Sequence, residues 1–280
     1  MNLTSQEHNS RKIPPVAHPK WMVWGILIAA LGIIGAWTWY TQPGVLGKAD
    51  AVGYAICHRI PERSFLINGR PLPLCARCTG IYLGVMTGLG VYVASGRQRA
   101  AFLPNWRVGM VLAGFVAILG FDGLNSYFYL YPGYEGPYEP QNWLRLVTGV
   151  FTGLTLITMV FPIFNQSMWA DGGQRSAPVR NLKELAGLSL LAVLMILLTL
   201  SENGMILLVL GVLSAVGVVA VLSMIFTVMV VTITNRFRSY HQWQQLWVPY
   251  LAGLTLAVSM IGAINYARFY MTGTWDGFIF

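Results

Sequence analysis

The residues able to do chemistry are concentrated in one stretch, Cys57 to Tyr82, CHRIPERSFLINGRPLPLCARCTGIY. It holds all three cysteines of the chain, His58, and the arginines Arg59, Arg63, Arg70 and Arg77. Cys57, His58, Cys75 and Cys78 together offer three thiolates and one imidazole, a normal tetrahedral zinc set. The turn Cys75-Ala76-Arg77-Cys78-Thr79-Gly80 resembles a zinc knuckle, in which two cysteines three apart grip one ion, and the arginines offset thiolate charge. Cys57 and His58 are adjacent, so coordination by both is strained; one of them off the metal leaves the open position that catalytic sites need. Asp122 is then a candidate fourth ligand or general base.

The same residues support two other readings. A Cys-x-x-Cys pair at a helix start beside Arg77 has a lowered thiol pKa, which suits thiol–disulfide exchange. Cys57 would relay electrons to the pair, with a quinone between the helices as acceptor. In the plainest reading, a Cys57–Cys75 or Cys57–Cys78 disulfide pins a loop to its helix.

The elements that must position these groups are apolar. The 280 residues are 55% hydrophobic and 10% charged, with mean hydropathy +0.58. Soluble domains carry roughly 25% charged residues. The fold class is therefore an all-α polytopic helical membrane bundle, with spans predicted at 21–40, 72–94, 108–121, 143–164, 185–200, 205–233 and 246–270. Residues 1–20 read as a disordered cytoplasmic lead-in. The second span should begin with Cys75, Arg77 and Cys78 in its first turn. Gly80, Gly84 and Gly88 lie on one of its faces, and Gly149 and Gly153 form a matching stripe on the fourth span, both allowing close helix packing.

Basic residues set the orientation. With the N-terminus inside and the C-terminus outside, the inner segments hold Arg11, Lys12, Lys20, Arg97, Arg99, Arg107, Arg175, Arg180, Lys183, Arg236 and Arg238. The outer segments hold only Lys48 and the four motif arginines. This arrangement gathers the Cys57 loop, the start of the second span, Asp122 and Asn125 at the end of the third, and Asn142 and Arg145 at the start of the fourth at the extracytoplasmic surface of the cell membrane. Arg145 with Asp122 reads equally well as an interhelical ion pair, and Asn265 and Arg268 as residues snorkelling to the interface.

The pieces ICHRIPERSF, LCARCTGIYLG, FDGLNS and NWLRLVTGVFTG resemble, as a set, a prokaryotic membrane family known as domain of unknown function 2085 (DUF2085). The resemblance spans 53–164, which makes that segment a core of three spans, with 21–40 an added first helix and 165–280 an accessory part of three more. It brings no settled activity. It implies that Cys57, His58, Arg63, Cys75, Arg77, Cys78, Asp122 and Arg145 occupy family motif positions. Of these, Asp122, Arg145, Arg63 and Arg77 are the candidate catalytic groups, and Cys57, His58, Cys75 and Cys78 the candidate metal ligands.

The net charge of +8 sits in short loops between apolar runs, which favours a bilayer over nucleic acid as the partner. Thr79 follows Cys78, so there is no c-type haem attachment sequence. No His-Glu-x-x-His zinc-protease signature and no phosphate-binding glycine loop occur. Only Arg77, Asp122, Arg145 and Arg268 approach the bilayer, all near its outer edge, which disfavours a through-pathway. The expectation is a membrane protein with a surface Cys/His site that holds a metal, with zinc as the candidate cofactor. Its partner is a lipid-like or quinone-like small molecule. A thiol–quinone redox protein and a non-catalytic assembly or transport protein are the alternatives.

Overall fold

Long apolar runs bounded by polar and glycine-containing segments give the chain its helices, because backbone polar groups in lipid must be satisfied within each segment. The computed structural model describes residues 19–131 and 133–275. The lead-in expected at 1–20 falls almost wholly outside these residues. Eight α-helices form the fold: α1 Lys20–Tyr40, α2 Gly44–Ile56, α3 Ala76–Ala94, α4 Trp106–Phe128, α5 Asn142–Met168, α6 Leu182–Leu200, α7 Gly204–Ile233 and α8 Trp247–Thr272. The chain is a polytopic all-α bundle. Six of the helices, α1 and α4 to α8, are long and apolar enough to cross a membrane.

The helix α3 is not one of those six. Arg77, Thr79, Thr87 and four glycines dilute its apolar character. It nevertheless packs against α5, α6 and α7, with Leu83 and Val85 fully buried. A helix shielded by its neighbours has less need of an apolar surface than one facing lipid.

The glycine stripes predicted from sequence explain how α3 and α5 meet. A methyl group on Gly80 would lie 2.5 Å from the Leu146 carbonyl oxygen, and one on Gly84 would run into that of Val150. In return, Gly153 faces the Ile81 carbonyl and Gly149 that of Arg77. The two backbones touch, which fixes the register of Arg77 and Cys78 against Arg145. Gly153→Leu should therefore abolish monodisperse, folded protein in detergent. Gly90→Leu, on the same α3 but with nothing within 4 Å, should leave the size-exclusion profile unchanged.

Three boundaries differ from the sequence expectation. The second span starts at Ala76 rather than residue 72, with Cys75 as its N-cap. Leu66–Ile67 and Arg70–Pro71 form a two-stranded hairpin, β1 and β2, that uses up the preceding residues. Its turn is Asn68-Gly69, both with positive φ, the pair favoured in tight hairpins. The third span runs on to Phe128, so Asp122 and Asn125 lie inside α4 rather than at its end. The segment between the first two spans also contains a helix, α2, where a loop was expected.

Alternate connections gather at opposite ends of the bundle. At one end the α3–α4, α5–α6 and α7–α8 connections meet. Ala101 N–H donates to the Gln174 carbonyl, Ala170 N–H to that of Tyr240, and Arg97 grips both oxygens of Glu184 at 2.6 and 2.8 Å. At the other end lie α2, the hairpin, the last turns of α4 and α8, and the first turns of α3 and α5.

Candidate metal centre and its arginine shell

The chain enters this region through α2, whose last turn delivers Cys57 and His58. Cys57 N–H closes the helix on the Gly53 carbonyl at 2.8 Å. Gly53 itself lies against the Pro73 carbonyl, so closely that no side chain could fit, and this presses α2 onto the segment leading to Cys75. The result is a group of three ligand atoms, one each from Cys57, His58 and Cys75, all within 4.8 Å of one another. Ligands about 2.0–2.3 Å from a tetrahedral ion lie about 3.3–3.8 Å apart, so atoms already within 4.8 Å need only a small adjustment to share one ion.

All three cysteines are free. Cys57 Sγ accepts the backbone N–H of Cys75 at 3.3 Å. Hydrogen bonds from the Cys75 and Cys78 thiols hold Cys57 far below the usual thiol range, against the opposing effect of burial. Cys75, as donor to Cys57, is pushed up correspondingly. His58 is shifted down by burial, with Cys57 opposing and Arg63, Arg77 and Arg145 adding to the shift. A neutral imidazole beside a thiolate is a ready donor set. Its Nδ1 accepts the Ile60 N–H at 3.2 Å, which places the ring proton on Nε2. Coordination by His58 therefore requires that contact to give way or the ring to turn over.

Cys78 lies outside the 4.8 Å group, although its thiol bonds to both neighbours. The adjacent pair Cys57–His58 supplies two of the three close ligand atoms. Arg59, which follows them, has a positive φ of +53°. Asp50 on α2 holds it there: Arg59 Nη2 bonds Asp50 Oδ1 at 2.9 Å, and Arg70 bonds the other carboxylate oxygen.

Beside the thiols lies a second cluster. Asp122, 1% exposed, accepts Arg77 on one oxygen and the Tyr138 hydroxyl on the other, the latter at 2.9 Å. Its ion pair is thus with Arg77, not with Arg145 as the sequence suggested, and it is not among the clustered ligand atoms. Arg77 also reaches Ser126 Oγ at 3.1 Å. Arg63 donates to the Ser126 carbonyl at 3.3 Å. Arg145 donates to Asn142 Oδ1 at 2.8 Å, and Asn142 bonds the Glu62 carbonyl at 3.0 Å. The four candidate catalytic residues therefore do converge.

Comparison with known proteins places this constellation. The family described as "Predicted membrane protein (DUF2085)" matches residues 57–159. An uncharacterized protein of Methanocaldococcus jannaschii is 33% identical over 120 residues, 42% of this chain and 70% of the relative. An uncharacterized protein of Methanothermobacter thermautotrophicus is 35% identical over 105 residues, 37% of this chain and 83% of the relative. The chain belongs to the DUF2085 family. No solved structure matches it.

The DUF2085 match holds all eight motif residues, but two groups that position them lie outside it. One is Asp50. The other is Arg268, 7% exposed on α8. Its guanidinium donates to the carbonyls of Tyr54 and Cys57, both at 2.6 Å, and to that of His58 at 3.3 Å, while lying 4.2 Å over the Tyr54 ring. Arg268 thus caps α2 and fixes the ligand loop; it does not snorkel. Asn265, one turn earlier, is likewise buried. A lone carboxylate in an apolar helix (Asp50) and a lone arginine in the last turns of a span (Arg268) were the available sequence signals.

Proposed function

We propose that Cys57, His58 and Cys75 hold a metal ion, zinc by the nature of the donors, with Cys78 beside them. The observation that carries this reading is the group of three ligand atoms, two thiol sulfurs and an imidazole nitrogen, within 4.8 Å in an otherwise apolar bundle. A bound zinc would act as a Lewis acid. Around it, Arg77 and Asp122 fix each other, Arg63 and Arg145 supply positive charge, and the apolar packing of Cys57 and Cys75 against Leu74, Val218 and Ile261 excludes water. X-ray absorption at the zinc edge of the purified protein should show a mixed sulfur and nitrogen shell; a shell of oxygen alone would contradict the proposal.

The site is proposed to face the extracytoplasmic side of the cell membrane and to act on a lipid-like or quinone-like molecule. A cavity of about 760 Å³ between α1 and α8 supports this choice. It is lined by apolar side chains together with Trp37 and Asn265, whose indole N–H and side-chain amide are buried without hydrogen-bond partners. Trp37 packs onto the same apolar cluster that seats Cys57 and Cys75. A carbonyl-bearing apolar molecule satisfies both donors. For the orientation, a reporter fused after Gln98 should read as cytoplasmic and one after Pro137 as external; the reverse result would put the site on the cytoplasmic face.

Thiol–quinone redox chemistry is the second reading, favoured by three free cysteines with Cys57 Sγ held against Cys75, whose backbone N–H it accepts at 3.3 Å. It predicts a disulfide more easily reduced than the structural bonds that lie below roughly −300 mV.

A further inference from the structure

Arg63, Arg77 and Arg145 come from three separate elements: the 3₁₀ turn Pro61–Arg63, the first turn of α3 and the first turn of α5. They are tied into one patch. Ser126 accepts from both Arg63 and Arg77, and Asn142 links Arg145 to the backbone next to Arg63. Among the described residues the patch holds one ion-paired carboxylate, Asp122, and its two oxygens are taken by Arg77 and Tyr138. Among the described residues no ion pair includes Arg63 or Arg145. Arg145 is 7% exposed, and its Nε, like that of Arg77, is buried without a partner.

Three guanidinium groups beside the paired Asp122 and the exposed Glu62 leave net positive charge at a partly buried patch, and such an arrangement is costly without a counter-anion. The helix starts point the same way. Neither α3 nor α5 has a side-chain cap or an acidic residue in its first turn, so their partial positive charge adds to that of the arginines. Planar guanidinium forks match tetrahedral oxyanions in particular.

We infer that Arg63, Arg77 and Arg145 form a binding site for a phosphate-type oxyanion next to the Cys57–His58–Cys75 group. The inference names the ligand class of the site proposed above and rests on that reading of it as a ligand site, but it does not require the metal. The shared chemistry is a phosphate group, carried by a lipid headgroup or free in solution.

The test uses the full chain, in detergent and in nanodiscs, with zinc content measured on each preparation. Inorganic phosphate is one probe, and nanodiscs containing phosphatidic acid, against purely phosphatidylcholine ones, are the other. The wild type should bind at least one probe. Binding of phosphate in detergent identifies the free anion, and stabilisation by phosphatidic acid alone identifies the headgroup. Arg145→Gln and Arg63→Gln should each weaken binding about tenfold or more, the equivalent of one charge-assisted contact. Arg145→Lys, which keeps the charge but not the fork, should fall between. If Arg145→Gln does not fold, Arg63→Gln on the partly exposed turn decides. Failure of the wild type to bind either probe overturns the inference, as does unchanged affinity in Arg63→Gln. Zinc content and oxyanion binding are read separately: oxyanion binding by protein without zinc leaves this inference standing whatever the outcome for the metal proposal.

Discussion

Changing Asp122 to asparagine should lower the apparent melting midpoint in detergent by on the order of 10 °C. Among the described residues Asp122 is the carboxylate that pairs with Arg77, and its side chain is only 2% exposed against 21% for Arg77. Removing one partner of a buried pair costs about 3–5 kcal/mol, because the other charge is left uncompensated. The residual exposure of Arg77 puts the expected loss near about 3 kcal/mol at the low end of that range. Asparagine keeps the shape and can still accept the Tyr138 hydroxyl, so the effect isolates charge. Adding Arg77→Gln to Asp122→Asn should recover part of the loss, since the orphaned charge is then gone. Equal destabilisation by the single and double variants would show that the pair contributes through packing alone. Differential scanning fluorimetry of the four proteins completes the cycle.

The second large effect is expected at Arg268, far from the motif in sequence. Its guanidinium satisfies three carbonyls at the end of α2. Hydrogen bonds from charged groups contribute about 1.5–3 kcal/mol each, and the last carbonyls of a helix have no partner of their own. Arg268→Gln should leave the membrane bundle assembled, because α7 and α8 pack along their length. It should release Cys57 and His58 from their position opposite Cys75. The expected readout is a metal content reduced about tenfold together with faster labelling of Cys57 by maleimide, the loss of about 1.4 kcal/mol or more of binding free energy. Arg268→Lys should restore part of the metal content, since an ammonium still donates to carbonyls. Normal metal content and a masked Cys57 in Arg268→Gln would remove Arg268 from the positioning role.

Much of this arrangement is legible in the sequence, and the parts that are not share a physical cause. The spans are readable because lipid demands continuous apolar helix, so six of them follow from length and hydropathy alone. The α3–α5 contact is readable because backbone approach requires glycine at fixed spacing, as Gly84 and Gly153 show. The motif residues are readable because reactive and charged groups are rare in such a chain. What escapes is pairing. Which arginine meets Asp122 depends on α4 running nearly two turns past Phe121 and on the register of α3 against α5, neither of which is a local property. The role of Arg268 depends on α8 returning beside α2, a contact between residues at opposite ends of the chain. The hairpin was within reach, since Asn68-Gly69 is a strong turn signal. The apolar residues that follow it extend the helical pattern back to residue 72.

The central claim is that Cys57, His58 and Cys75 hold a metal ion, and metal content measured together with free thiols tests it most directly. Protein purified under mild conditions should carry about one equivalent of metal, with thiols that react only after chelation, because bound thiolates are masked. Cys75→Ser, which removes one of the three closely grouped ligand atoms, should carry none. Wild-type protein with little metal and thiols that appear only after reduction would contradict the claim, and so would Cys75→Ser protein that keeps a full equivalent of metal.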